Sequence, residues 1–160
     1  MNAPIPRLDA VDRRMIRLLQ KDGRMPIVQL AKALKISETT ARTRLKRLIQ
    51  EDIINVVAVS NPIKLGFEII GNLKLNIDLK KKDAILESLK EIEQLNYIAL
   101  TTGGADLDVE FIARSLDEFK SLVFDQVCKI DGVNSSDASL IVEIVKNTWD
   151  YGTGGDQQKR

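Results

Sequence analysis

The chain has 160 residues, 24 Lys and Arg against 23 Asp and Glu, 44% apolar residues, one Cys and no His. That length suits one medium domain or two small ones with a buried core, and no apolar run approaches the ~20 residues of a bilayer span. Without His, a Ser–His–Asp triad, a His-ligated metal or an imidazole base cannot be built, and Cys128 alone closes no internal disulfide or multi-thiolate zinc site.

No catalytic residue, metal ligand or cofactor is therefore expected, and Cys128 reads as a small buried apolar residue. The first residues, Met1–Pro6, lack the basic-then-apolar layout of a signal peptide, so the expected location is cytoplasmic. The charge is unevenly spread. Residues 1–60 hold 12 basic and 6 acidic side chains, a net +6, whereas residues 61–160 hold 12 and 17, a net −5. A basic module joined to an acidic one points to a polyanion as partner of the first.

Leu8, Val11, Met15, Leu18 and Leu19 recur at steps of three and four, the stripe of an amphipathic helix that Asp9 or Asp12 caps and Gly23 ends. Pro26 then opens a second helix with Ile27, Leu30, Ala31 and Leu34 on one side. Ser37 is an N-cap for a third helix reaching about Gln50, with Ala41, Leu45 and Leu48 inward. Two short helices joined by so tight a turn form a helix-turn-helix, whose second member enters the major groove of DNA. Stepping 100° per residue turns Thr39, Arg42, Thr43, Lys46 and Gln50 outward, with Thr40 and Arg47 on the flanks. Lys and Arg neutralise phosphates, and short Thr side chains approach base edges. The expected DNA-binding set is Ser37, Thr39, Thr40, Arg42, Thr43, Lys46 and Arg47, with Arg42 the candidate for a bidentate guanine contact. Ile53–Val59 is β-branched and halts at Asn61-Pro62, a strand or hairpin that would make a wing or a link.

In the acidic module, Leu73, Leu75, Ile77 and Leu79 alternate with polar residues in a half-buried strand. Asp83 caps a helix carrying Ala84, Ile85, Leu89 and Ile92. Tyr97–Thr102 and Leu107–Ala113 read as strands. Ser115-Leu116-Asp117-Glu118 is a capping box for a helix with Leu116, Phe119, Leu122, Val123, Val127 and Ile130 inside, ended by Gly132. The apolar run Leu140–Val145 closes the order βαββαβ. The expected fold is thus α+β: an N-terminal winged helix-turn-helix over 1–60, then a ferredoxin-like βαββαβ sandwich over 61–150. Trp149 would cover the sheet edge, and 151–160 would form a mobile tail. The sheet face bearing Tyr97, Ala99 and Ile112 has no helix left to cover it and suits an identical sheet, hence a homodimer.

The strings Leu8-Asp9-x-x-Asp12, Asp22-Gly23-Arg24, Ser37-x-x-Thr40-x-x-x-Arg44-Leu45-x-Arg47-Leu48, Asn61-Pro62-x-x-Leu65-Gly66, Gly103-x-x-Asp106-Leu107 and Asp131-Gly132-Val133 occur in this order. With them the chain resembles the Lrp/AsnC, or feast/famine, family of prokaryotic transcription regulators over nearly its whole length. The resemblance implies a double-stranded DNA partner, dimers and higher homo-oligomers, and control by a small-molecule effector, commonly an amino acid. Carried over, the effector residues are Thr102, Gly103, Gly104 and Asp106 in the loop after the second strand, with Ser136 on the last strand. Gly103-Gly104 would bring backbone N–H groups to a carboxylate, and Asp106 would accept from an α-ammonium group. A plain hairpin turn is the alternative reading of the same glycines. Ala105 stands where relatives commonly carry an aromatic, Ala138 where they carry a hydroxyl, and Asp52 replaces a glycine in a place where Asp tolerates left-handed backbone.

Two other functions fit the framework. It resembles the sirohaem decarboxylases, but that resemblance implies a need for His, which is absent. A sensing or assembly module with a vestigial helix-turn-helix is opposed by the cationic third helix.

Overall fold

The computed structural model describes residues 7–147. The expectations for Trp149 and for a tail over 151–160 lie outside those residues. The chain divides into two units: one holds the helices that precede Val59, and the other spans Ser60–Val145.

In the first unit, α1 (Ala10–Lys21) opens on a reciprocal cap. Asp9 accepts from the Asp12 N–H at 2.8 Å, and Asp12 accepts from the Asp9 N–H at 3.2 Å. Each carboxylate satisfies a donor near the helix start that the backbone ladder leaves over. The helix ends at an extended Asp22, whose N–H reaches the Leu18 carbonyl and whose carboxylate accepts from Arg24 N–H. Gly23, expected to stop the helix in left-handed conformation, is not needed in that role and has no positive φ. α2 (Ile27–Leu34) ends on Lys35, left-handed at φ 58°, and α3 (Glu38–Gln50) starts at Ser37, whose hydroxyl accepts from Thr40 N–H. Met15, Leu30, Ala41 and Leu48 are fully buried where the three helices meet.

After α3, Asp52 takes left-handed backbone at φ 52°, the conformation expected at that position. Ile53 and Ile54 donate their N–H groups back to the Leu48 carbonyl and pack against the helical core. The strand or hairpin expected over Ile53–Val59 does not form. Val56, Val57 and Val59 are exposed and have no neighbouring strand to pair with, and β-branching alone supplies no ladder.

The second unit is a four-stranded antiparallel sheet with strands in the order β2-β3-β1-β4. In sequence it runs β1 (Ile69–Ile77), α4 (Lys82–Lys90), β2 (Leu95–Leu100), β3 (Leu107–Ala113), α5 (Leu116–Lys120) and β4 (Val133–Leu140). This is the ferredoxin-like arrangement. Leu73 and Leu75 of β1, and Leu107, Val109 and Phe111 of β3, meet Ile85 and Leu89 of α4 and Leu122 and Val127 beyond α5. The helix begun by α5 changes pitch, passing through a π turn at Ser121–Gln126 and a 3-10 turn at Val127–Lys129.

Six local expectations are corrected here. Leu79 falls in a 3-10 turn capped by Asp78 and is exposed, because β1 has already ended at Ile77. Asp83 lies inside the first turn of α4, whose N-cap position is Lys81. Ser115 does cap α5, but Glu118 turns to the Arg114 N–H at 2.6 Å and to Gln94, so the box is not closed on Ser115 itself. Leu116 and Cys128 are exposed, Cys128 with its sulfur 3.3 Å from the Ser136 hydroxyl. Most consequential, the last strand is the polar segment Val133–Leu140, not the apolar run after it. Leu73 pairs with Ala138 and Leu75 with Ser136, whereas Val142 and Val145 are 99% and 89% exposed.

Register also settles the faces. Tyr97 lies opposite Glu110, and Ala99 opposite Asp108, on the side away from the buried Val109 and Phe111. Asn72 Oδ1 and Asp108 Oδ1, also on that uncovered side, are buried without a hydrogen-bond partner.

Candidate functional site

Helix α3 divides into three sets of polar side chains. Ser37 and Thr40 close the helix start: Ser37 Oγ accepts from Thr40 N–H at 3.1 Å, and the two hydroxyls lie 2.8 Å apart. Both are exposed but engaged with each other. Thr39, Arg42, Thr43, Lys46 and Gln50 form the second set, all exposed as helical geometry requires. Thr43 donates its hydroxyl to the Thr39 carbonyl at 3.0 Å. Among the described residues no carboxylate forms an ion pair with Arg42 or Lys46, so both positive charges face outward.

The third set faces α1. Arg44 Nη1 is 2.7 Å from Asp9 and 2.8 Å from Asp12, and Arg47 Nη2 is 2.6 Å from Asp12. Asp12 is 1% exposed, the single charged residue buried among those described. The Asp12 N–H and the Arg44 guanidinium hold the Asp9 carboxyl below its ordinary range, and hydrogen bonds to Asp9 and then Asp12 raise Arg44. Arg47, expected in the DNA-facing set, is therefore turned to α1. Its Nε is buried with no partner.

Sequence reasoning named Asp9 and Asp12 as caps and as positions of a family string, and did not pair them with Arg44 and Arg47. A signal for that pairing exists: acidic residues three apart on one helix and basic residues three apart on another offer matching pairs one turn long. An open cleft of about 420 Å³ lies alongside, bordered by Asp9, Thr39, Thr40, Thr43, Arg44 and Arg47.

The loop between β2 and β3 carries the other expected residues. Thr101 donates its hydroxyl to the Ala105 carbonyl at 2.8 Å and its N–H to the Asp106 carbonyl at 2.9 Å. Asp106 donates its N–H to the Leu75 carbonyl, and its Oδ2 accepts from the Ile77 N–H at 2.9 Å. The β1–β3 ladder ends at Leu75 opposite Leu107, and the Ile77 N–H faces that same edge, so the carboxylate takes the place of a ladder acceptor. Gly103 sits at φ +120°, a conformation that favours glycine, and a side chain at either Gly103 or Gly104 would meet open space. Thr102, Gly103 and Gly104 are exposed at this end of the sheet. Ser136 is on β4, separated from the loop's strand by β1, with its side chain on the helix-covered face next to Cys128. The structure thus groups Thr102, Gly103, Gly104 and Asp106 but leaves Ser136 outside the group. No cluster of three or more potential metal ligands exists among the described residues.

A family model described as the AsnC-type helix-turn-helix domain matches residues 8–49, and one described as the Lrp/AsnC ligand binding domain matches residues 73–150. An HTH-type transcriptional regulator of Pyrococcus abyssi is 32% identical over 145 residues, 90% of each chain. The chain belongs to the Lrp/AsnC family. The HTH-type transcriptional regulator LrpA of Pyrococcus horikoshii is 31% identical over 87% of this chain and 99% of its own. The Escherichia coli AsnC structure superposes with a TM-score of 0.83 at 20% identity, over 90% of this chain and 98% of that one. A transcriptional regulator from Neisseria meningitidis, solved with L-Met, gives 0.83 at 21% identity over 89% and 94%.

This Lrp/AsnC chain is a DNA-binding transcription regulator with a ligand-binding domain, from a family of regulators rather than enzymes. No helix among the described residues is long and apolar enough to cross a membrane.

Proposed function

We propose that the regulator reads double-stranded DNA with Thr39, Arg42, Thr43 and Lys46, while Ser37 and Thr40 hold the helix start and Arg47 serves the α1 contact. The observation that carries this reading is the separation on α3: its inward arginines are neutralised by Asp9 and Asp12, and its outward cations are not. Arg42→Ala is expected to weaken operator binding about ten- to a hundredfold and to relax base preference, the ~1–3 kcal/mol of one bidentate contact. Lys46→Ala is expected to weaken operator and random duplex alike and to lower the salt slope by about one. Fluorescence anisotropy on an operator selected from genomic fragments measures both, and equal losses on the two duplexes for Arg42→Ala would remove it from base reading.

The proposed division of labour assigns DNA to residues 1–60 and sensing with assembly to 61–150. The effector is an amino acid held at the Thr102–Asp106 loop. Supporting this are the ligand-binding family match, the L-Met held by the Neisseria relative, and an Asp106 that spends only Oδ2 on the backbone. Ser136, beyond β1 from this loop and held in the β1–β4 ladder, is left out of the proposed effector site. Gly104 has no positive φ and no neighbour within reach of a Cβ, so Gly104→Ala is expected to fold normally. In a thermal-shift panel of amino acids, wild type is expected to gain about 2.7 kcal/mol at a hundred times Kd, and Gly104→Ala to lose most of that gain. An undiminished gain would move the site elsewhere.

A homodimer is supported by the uncovered sheet face with its partnerless Asn72 and Asp108 oxygens, since buried polar atoms are ordinarily paired. Cytoplasmic residence follows from work on DNA.

A further inference from the structure

Asp9 makes two kinds of contact that serve different ends. Its Oδ1 accepts from the Asp12 N–H and caps α1, and its Oδ2 lies 2.7 Å from Arg44. The cap needs only the first. Arg44 already has a carboxylate partner in Asp12, which is buried, whereas the Asp9 side chain is 52% exposed. Asp12 is shared with Arg47, so Asp9 supplies the second negative charge of a cluster of two arginines and two carboxylates, and it is the exposed one. The cleft beside it is bordered on its other side by Thr39 and Thr43, which belong to the outward face of α3. Arg44 is 29% exposed, so its head reaches that cleft without unpacking the helical core.

We infer that Asp9 is a specificity-determining positioning residue: it holds Arg44 against α1 and withholds it from DNA phosphate. The inference rests on α3 facing the duplex as proposed above. Phosphate contacts supply sequence-independent affinity through counterion release and carry no base information. An additional free arginine beside the reading face would strengthen binding to every duplex and lower the ratio of operator to non-specific affinity, the quantity that matters against a genome of competing sites. Asp9 keeps one such contact out of play, and Asp12 does the same for Arg47 from the interior.

The test uses the full chain and a random-sequence duplex beside the operator. Asn is as good an N-cap as Asp, so Asp9→Asn keeps the α1 start while removing the charge that holds Arg44. Asp9→Asn is expected to steepen the dependence of log K on log salt for the random duplex by about 0.9, and to raise that affinity on the order of five- to tenfold near 0.1 M salt. In an Arg44→Gln background the same substitution is expected to leave slope and affinity unchanged. A purely structural ion pair would shift stability and leave the slope alone, and an unchanged slope in Asp9→Asn overturns the inference. A steeper slope that persists without Arg44 also overturns it, because the effect would then be simple repulsion between Asp9 and DNA. Asp9→Asn against wild type decides the first point even where Arg44→Gln folds poorly. Weakened binding by Arg42→Ala and Lys46→Ala beside an unchanged Asp9→Asn slope condemns only the role of Asp9. No effect of those two variants condemns the placement of α3.

Discussion

Asp12→Ala is expected to destabilise the helical unit by about 3 kcal/mol, measured as the loss in urea unfolding followed by circular dichroism. Asp12 is 1% exposed and accepts from Arg44, Arg47 and the Asp9 N–H. Removing one member of a buried ion pair costs about 3–5 kcal/mol, because the charge left behind loses its partner where water is scarce. The low end applies here, since the Arg44 and Arg47 side chains are 29% and 41% exposed and both turn partly to solvent. Arg47 has the harder task, as its Nε is already buried without an acceptor. Asp12→Asn keeps an oxygen for the helix start and is expected to recover about 1 kcal/mol of the loss. A loss below 1 kcal/mol for Asp12→Ala would mean that the network contributes little beyond capping.

Phe111→Ala is expected to cost about 3–5 kcal/mol in the second unit, read as a lower urea midpoint with unchanged m. Its ring is fully buried and stacks on Phe119 with centroids 5.3 Å apart, joining β3 to α5. It also fills the space left by Gly71 opposite it on β1: a Cβ on Gly71 would stand 2.7 Å from the ring and 2.3 Å from the Ser139 carbonyl oxygen. The glycine is required there because ring and edge strand both approach its Cα. Truncating Phe111 leaves a cavity in the middle of this three-way contact, and the surrounding strands are held by ladders that restrict collapse. A cost under 2 kcal/mol would show that the core closes around the missing ring.

Much of the geometry of α3 is legible in the sequence. The three-residue and four-residue steps of Leu30, Ala31, Leu34, Ala41 and Leu48 identify the helices, and Ser37 announces the start of α3. Stepping around α3 from its apolar residues places Arg42 and Lys46 outward, because a helix fixes the direction of each side chain. Arg47 is not placed by the same geometry. It stands on the flank of the stripe, and its direction is decided by Asp12, 35 residues away on another helix. Asp106 poses a comparable case. Its glycine-rich loop reads as a ligand cradle, yet one carboxylate oxygen is taken by the Ile77 N–H just past the end of the β1–β3 ladder, an end that alternation along one strand does not reveal.

The sequence by itself determined the helix-turn-helix, the order of strands and helices after it, the basic outer face of α3 and the exclusion of imidazole chemistry. All of these follow from local periodicity, caps and composition, which need no knowledge of distant residues. Only the tertiary structure decided that Val133–Leu140 is the fourth strand and Ile141–Val145 is not, that no strand forms at Ile53–Val59, and that Arg44 and Arg47 face Asp9 and Asp12. The physical reason is common to the three. Hydrophobicity and charge report how strongly a side chain seeks cover or a partner, whereas ladder bonds and ion pairs depend on which remote segment arrives beside it.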